Sequence, residues 1–112
     1  MNIIITYKDD TAFIKIVTER FDHQNAKEAK DTLFNIIDNG IHKMVLNLSS
    51  MEFMDSTGLS VIVSIFKRIS SVNGELKLCP LSKQPTELLK IIQLNRLLTF
   101  LDQDECIVTN KF

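Results

Sequence analysis

The sequence predicts a single α/β domain: a mixed β-sheet that opens as an antiparallel hairpin and continues through parallel crossovers, with helices packed on it. Three observations lead there. Two β-rich segments near the N-terminus flank a short polar turn. Later segments repeat apolar residues at helical spacing. Short apolar runs stand between those helical segments, the order that generates parallel strands. With 112 residues, 45% of them hydrophobic, the chain has material for one core and is too short to suggest a second domain.

In chain order, Ile3–Tyr7 and Thr11–Val17 are the hairpin strands, and Lys8-Asp9-Asp10 is the turn between them. From Asn25 to Asn39, the apolar residues Ala26, Ala29, Leu33, Ile36 and Ile37 follow the i, i+3, i+4 spacing of a helix with one buried stripe. Asn25 and Glu28 suit a capping box at its start, and Gly40 suits the left-handed position after its end. Lys43–Leu48 is almost continuously apolar through Met44, Val45, Leu46 and Leu48, as a central strand covered on both faces should be. Leu59–Val72 returns to helical spacing, with Leu59, Ile62, Val63, Phe66 and Ile69 on the buried face. Asn73-Gly74 then turns the chain into a strand at Glu75–Cys79, which closes a right-handed crossover. Ser82–Gln93 is a third helix, with Ser82 as cap, Pro85 in the first turn, and Leu88, Leu89, Ile91 and Ile92 as its apolar face. Leu97–Leu101 suits a short last strand. For Asp102–Phe112 two readings stand: a strand through Cys106-Ile107-Val108-Thr109, or a helix opened by the acidic Asp102–Glu105.

Composition narrows the function. Thirteen basic and 14 acidic side chains leave a formal charge of −1, so no overall field draws the chain to nucleic acid or to an anionic membrane. No window approaches the roughly 18 apolar residues of a membrane span, and Met1–Tyr7 lacks the basic start and cleavage site of a signal peptide. Cys79 and Cys106 fit no metal-ligand or redox spacing, so free thiols in a reducing, cytoplasmic compartment are expected. There is no glycine-rich phosphate cradle and no metal constellation, so no cofactor is expected. Ser56 lacks the first glycine of a Gly-x-Ser-x-Gly elbow. Asp55-Ser56-Thr57-Gly58 has one residue more than the aspartic-protease triplet and leads into a helix, so the chain reads as a non-enzyme.

The functional interest lies at Phe53-Met54-Asp55-Ser56-Thr57-Gly58-Leu59, a polar joint between a hydrophobic strand and an apolar-faced helix. One of Asp55, Ser56 and Thr57 suffices to cap that helix. Gly58 in the first turn costs up to about 1 kcal/mol relative to alanine unless a partner or a neighbouring backbone needs the space of the missing side chain, and an open approach to the Ser56 hydroxyl, with Gly58 as its clearance, is expected. A phosphate on Ser56, carrying roughly −1.5 to −2 charges, would sit at the positive end of the helix dipole and leave the fold intact, while opposing a partner docked there. On the same helix Val61, Ile65 and Val72 fall together outside the main stripe. Either a neighbouring helix covers them, or they form an exposed apolar strip leading from Ser56. Met51 and Met54 offer adaptable apolar contacts nearby, with a core role expected for one of them.

Val45-Leu46-Asn47-Leu48 followed by Phe53-Met54-Asp55-Ser56-Thr57-Gly58-Leu59 resembles the core of STAS domains, specifically the anti-sigma factor antagonists, or anti-anti-sigma factors. Phe21-Asp22-His23 with Ala26, Asn73-Gly74-Glu75-Leu76 and Leu94–Phe100 extend the likeness over most of the chain. The resemblance implies a STAS fold and a partner switch. The unphosphorylated protein binds an anti-sigma factor with serine kinase activity and frees a sigma factor; phosphorylation of the serine after the aspartate, here Ser56, ends that binding; a PP2C-type phosphatase reverses it. It also implies partner contacts at Asp22 and the joint, and we expect Asp22, Met54, Asp55, Ser56, Thr57, Gly58, Val61 and Ile65 to form the binding surface. Where family members often carry glycine, this chain has Glu19 and Asn95, and Asn95 is expected to keep the left-handed backbone. The alternative function is that of a STAS interaction subunit in a lipid-transport or stress-signalling assembly, without a phosphate cycle.

Overall fold

The computed structural model describes residues 1–109. The hairpin forms as expected: β1 (Asn2–Lys8) pairs antiparallel with β2 (Thr11–Val17), and Asp9 takes the positive φ (56°) that the tight turn requires. A two-residue strand β3 (Arg20–Phe21) precedes α1 (Ala26–Asp38). The chain continues through β4 (Lys43–Asn47), a second two-residue strand β5 (Phe53–Met54), α2 (Ser56–Ser71), β6 (Glu75–Leu78) and α3 (Lys83–Ile91). A 3-10 turn over Leu94–Arg96, β7 (Thr99–Phe100) and α4 (Gln103–Thr109) complete it.

The main sheet has the order β1-β2-β4-β6-β7, with β2, β4, β6 and β7 mutually parallel and β4 at the centre. Side chains alternate across it with period two. Ala12, Ile14 and Ile16 of β2, Met44 and Leu46 of β4, and Leu76 and Leu78 of β6 face the helices and form the core with Ala26, Ala29, Leu33, Ile36 and Ile37 of α1. The intervening Val45 points to the other face, where it joins Cys79 and Cys106 in a second buried cluster flanked by Phe13 and Leu101. Within the described part of the C-terminal segment, Gln103–Thr109 forms the helix α4, so the strand reading through residues 106–109 falls away; residues 110–112 of that segment lie outside the described residues.

Several local expectations are corrected. Asn25 does precede α1, but its side chain makes no cap bond to the helix. Its amide donates instead to the carbonyl of Arg20 (2.8 Å) and to Thr18 Oγ1 (3.2 Å), and its Oδ1 accepts from the N–H of Asp22 (3.1 Å). Ser82 stands before α3, yet its hydroxyl donates to the carbonyl of Met51 rather than capping. On α3, Leu89 is buried, but Ile91 (77% exposed) and Ile92 (48%) face solvent, because the helix ends there and Gln93 turns left-handed (φ 60°). Gln93, and not Asn95, therefore supplies the left-handed residue.

The cysteines are also corrected. Cys79 and Cys106 are joined in a disulfide, with their Cα atoms 5.6 Å apart, where free thiols were expected. The topology brings α4 back over the end of β6, a closure across 27 residues that local spacing cannot reveal.

Candidate functional site

The joint is assembled by the small sheet β3–β5, which the periodicity of the sequence does not signal. Phe21 pairs with Met54 in parallel register. The carbonyl of Glu19 accepts from the N–H groups of Glu52 (2.8 Å) and Phe53 (3.1 Å), and that of Phe21 accepts from the N–H of Asp55 (3.4 Å). Glu19 achieves this without a positive φ. Behind the strand, Gln84 of α3 brackets Met54: its Oε1 accepts from the Met54 N–H (2.9 Å) and its Nε2 donates to the Met54 carbonyl (3.0 Å). Ser50 donates to the carbonyl of Ile16 (3.1 Å) and accepts from the N–H of Thr18 (3.2 Å), which ties the preceding loop to the end of β2. The roles of Gln84 and Ser50 are not legible in the sequence, since a lone polar residue in a helix start or loop carries no periodic signal.

Of the candidate caps, Asp55 performs the role. Its Oδ1 accepts from the Gly58 N–H (2.9 Å) and its Oδ2 from the His23 N–H (3.2 Å), so one carboxylate closes the start of α2 and anchors the loop after β3. Donation from Gly58, then from His23, outweighs partial burial and holds the Asp55 carboxyl below its ordinary pKa, so it is ionised at neutral pH. Ser56, the first residue of α2, and Thr57 are exposed beside it, and the Ser56 hydroxyl makes no hydrogen bond among the described residues.

The other candidates are drawn inward. Gly58 is buried; a Cβ there would overlap the Phe21 carbonyl oxygen and lie 2.9 Å from both Met54 Cγ and Phe21 Cδ2. The space left by its missing side chain is filled by the chain's own β3, not kept open above Ser56. Met54 and Ile65 (1% exposed each) and Val61 (5%) lie in the core, as does Met51. The exposed strip along α2 is therefore absent: α1 packs along α2, and Arg68 fastens the pair by donating to Asp38 Oδ1 (2.8 Å) while lying over the Phe34 ring. Val72, like Leu59, Val63 and Phe66 of the expected stripe, is only partly buried. Asp22 is buried (7% exposed), and its carboxylate accepts from the Gln24 N–H (3.0 Å) and from Arg20 Nε (3.3 Å). It shapes the loop facing the joint. Arg20 itself is exposed and lies 4.2 Å from the Phe53 ring centroid.

A mixed sheet with helices on its core face, and an exposed serine at a helix entrance held by a strand from another part of the chain, define a STAS domain. The family model for the STAS domain matches residues 2–106, and the chain belongs to that family. Among its relatives, a Bordetella bronchiseptica protein named "Putative anti-sigma factor antagonist BtrV" is 33% identical over 67 residues, which span 60% of this chain and 58% of that protein. The crystal structure of a "putative anti-sigma factor antagonist" from Thermotoga maritima matches with a TM-score of 0.81 at 26% identity, covering 98% of this chain and 95% of that one. The Bacillus protein SpoIIAA, an anti-sigma factor antagonist, shares the fold in its unphosphorylated form (TM-score 0.74, 19% identity, 96% of each chain). It shares it equally in its phosphorylated form (TM-score 0.74, 17% identity, 96% of this chain and 98% of that one). The family read from the Asp55-Ser56-Thr57-Gly58-Leu59 block and its flanks is the one the comparisons return.

Proposed function

We propose that this chain is an anti-sigma factor antagonist that works by partner switching. Its unphosphorylated form binds an anti-sigma factor with serine kinase activity and so releases a sigma factor. Phosphorylation of Ser56 by that kinase ends the binding, and a PP2C-type phosphatase restores it. The observation that carries the reading is the exposed, unengaged hydroxyl of Ser56 at the first position of the 16-residue α2, mounted on a framework whose polar groups are already paired.

The chemistry follows from that position. A phosphate on Ser56 enters the favourable field of the α2 N-terminus, and no core residue has to move to admit it. The same charge, added beside the ionised Asp55, must be desolvated or opposed by any surface pressed against the joint. Binding is therefore lost while folding is retained. Ser56 and Thr57 present the surface directly, Asp55 contributes its partly exposed carboxylate, and Arg20 of β3 and His23 of the loop after it lie exposed. Asp22, Met54 and Gly58 are buried behind this surface, and Val61 and Ile65 lie in the core further along α2.

The test is calorimetric titration of the anti-sigma kinase with the wild-type chain, Ser56→Ala and Ser56→Asp. Ser56→Ala should bind like the wild type and stay bound when ATP is added. Ser56→Asp should bind about 1–3 kcal/mol more weakly, roughly five- to 150-fold in Kd, because an unpaired charge is driven into the interface. Its midpoint of thermal unfolding should stay close to that of the wild type, since surface substitutions usually fall within about ±0.5 kcal/mol. Equal affinity of all three proteins would instead favour an interaction subunit with no phosphate cycle.

A further inference from the structure

We infer that Cys79 and Cys106 form a reversible thiol–disulfide latch that sets whether α4 is docked on the open face of the sheet. The inference is independent of Ser56 and rests on where the two sulfurs stand. Cys79 follows β6 at the end of the sheet and is fully buried, with its N–H donating to the carbonyl of Leu46 (3.0 Å). Cys106 lies on α4, 5% exposed, and meets Cys79 within the cluster formed with Val45, Phe13 and Leu101. That cluster lies on the face away from the main core.

The helix it fastens is weak by itself. At seven residues, α4 is far below the roughly 12–15 needed for an isolated helix to persist in water. Asp102 and Glu105 close its start reciprocally: the Glu105 N–H donates to Asp102 Oδ1 (2.7 Å) and the Asp102 N–H to Glu105 Oε1 (3.1 Å). Among the described side chains of α4, Gln103, Asp104 and Glu105 are exposed and Cys106 is buried. The S–S bond is thus the covalent part of the attachment, across a loop that contains all of α3 and β7.

Burial also dictates the order of the chemistry. In the docked state both cysteines are almost completely buried, so exchange proceeds through fraying of α4, which exposes Cys106 first. With hydrogen peroxide as oxidant, the Cys106 thiolate attacks one peroxide oxygen. An S–O bond forms as the O–O bond breaks, the expelled hydroxide takes up the proton released by the thiol and leaves as water, and a sulfenic acid remains. Redocking brings Cys79 onto that sulfur; the S–S bond forms, the S–O bond breaks, and a second water leaves. Two thiols and one hydrogen peroxide have become one disulfide and two waters. A dithiol reverses the process by thiolate attack on the disulfide, through a mixed disulfide that its second thiol resolves. Reduction releases α4 and uncovers Val45 and Phe13.

The experiment uses the full chain under native conditions, reduced with dithiothreitol and then oxidised with hydrogen peroxide. Intact-mass measurement follows the disulfide, and hydrogen exchange follows the amides of Gln103–Thr109. Peroxide should remove two hydrogens from the intact mass, and dithiothreitol should restore them without denaturant. Exchange in α4 should be about tenfold faster or more in the reduced protein, with β2 and β4 unchanged. Cys106→Ala, placed on the peripheral helix so that the main core is untouched, should exchange fast in α4 whichever reagent is present. Equal exchange in both states would overturn the latch, and so would a disulfide that dithiothreitol opens only in the unfolded chain.

Discussion

Replacing Gly58 by alanine separates two explanations of a glycine in the first turn of α2. In an exposed helix the change would be favourable by up to about 1 kcal/mol, through propensity alone. Here the added methyl group overlaps the Phe21 carbonyl oxygen and comes within 2.9 Å of Met54 Cγ and Phe21 Cδ2. Phe21 and Met54 are each 1% exposed and paired with one another across β3–β5, so neither can yield without displacing the small sheet. Overpacking of this kind costs about 1–3 kcal/mol. Because the clash is with a backbone oxygen, the cost falls in the upper part of that range, about 2–3 kcal/mol. A helical gain of about 1 kcal/mol leaves a net loss of about 1–2 kcal/mol and a fall in Tm of about 4–9 °C for a chain of this size. Urea unfolding followed by far-ultraviolet circular dichroism should show a lower midpoint at unchanged slope. An unchanged or raised midpoint, combined with lost partner binding, would refute the internal explanation and return Gly58 to the role of clearance for a partner.

Asp55→Asn should lower stability at neutral pH, and the gap to the wild type should close in acid. The folded pKa of Asp55 lies below the ordinary aspartate value of 3.8, so its contribution is complete above that value and disappears as pH falls through the depressed folded pKa. Urea midpoints at neutral pH and at successive points below 3.8 measure this directly, and a gap constant with pH would contradict it. Ile65→Ala should cost about 2–4 kcal/mol in the same assay, as a core truncation does. Unaltered stability would place that side chain on an exposed strip after all. Reducing the Cys79–Cys106 disulfide removes a closure across 27 residues, which chain-entropy reasoning values at about 3–4 kcal/mol. Unfolding with and without reductant tests the figure.

The parts of this fold that were legible in the sequence are those with a period. The hairpin strands, α1, β4, α2, β6 and α3 each repeat apolar residues over at least four positions, and their order implies the sheet. β3 and β5 span two residues each, too few for any period, and so the element that positions Ser56 was invisible. Asp55 was readable as one of three caps, because an oxygen side chain before an apolar run has a local function. The choice of partner for each polar group was not: Asn25 turns to Arg20 and Thr18, Ser82 to Met51, and Gln84 to Met54, all decided by tertiary approach. α2 misled for a related reason. It packs against both α1 and the sheet, so apolar residues around much of its circumference are covered, and Val61 and Ile65 are buried more completely than Leu59 and Phe66.

The central claim is that Ser56 is the switch, and mapping the phosphate tests it most directly. The chain is incubated with ATP and an anti-sigma kinase that demonstrably binds it, digested, and sequenced by tandem mass spectrometry. One phosphate is expected, on Ser56, with none incorporated by Ser56→Ala. Phosphate on Thr57 or elsewhere, or no incorporation despite binding, would contradict it.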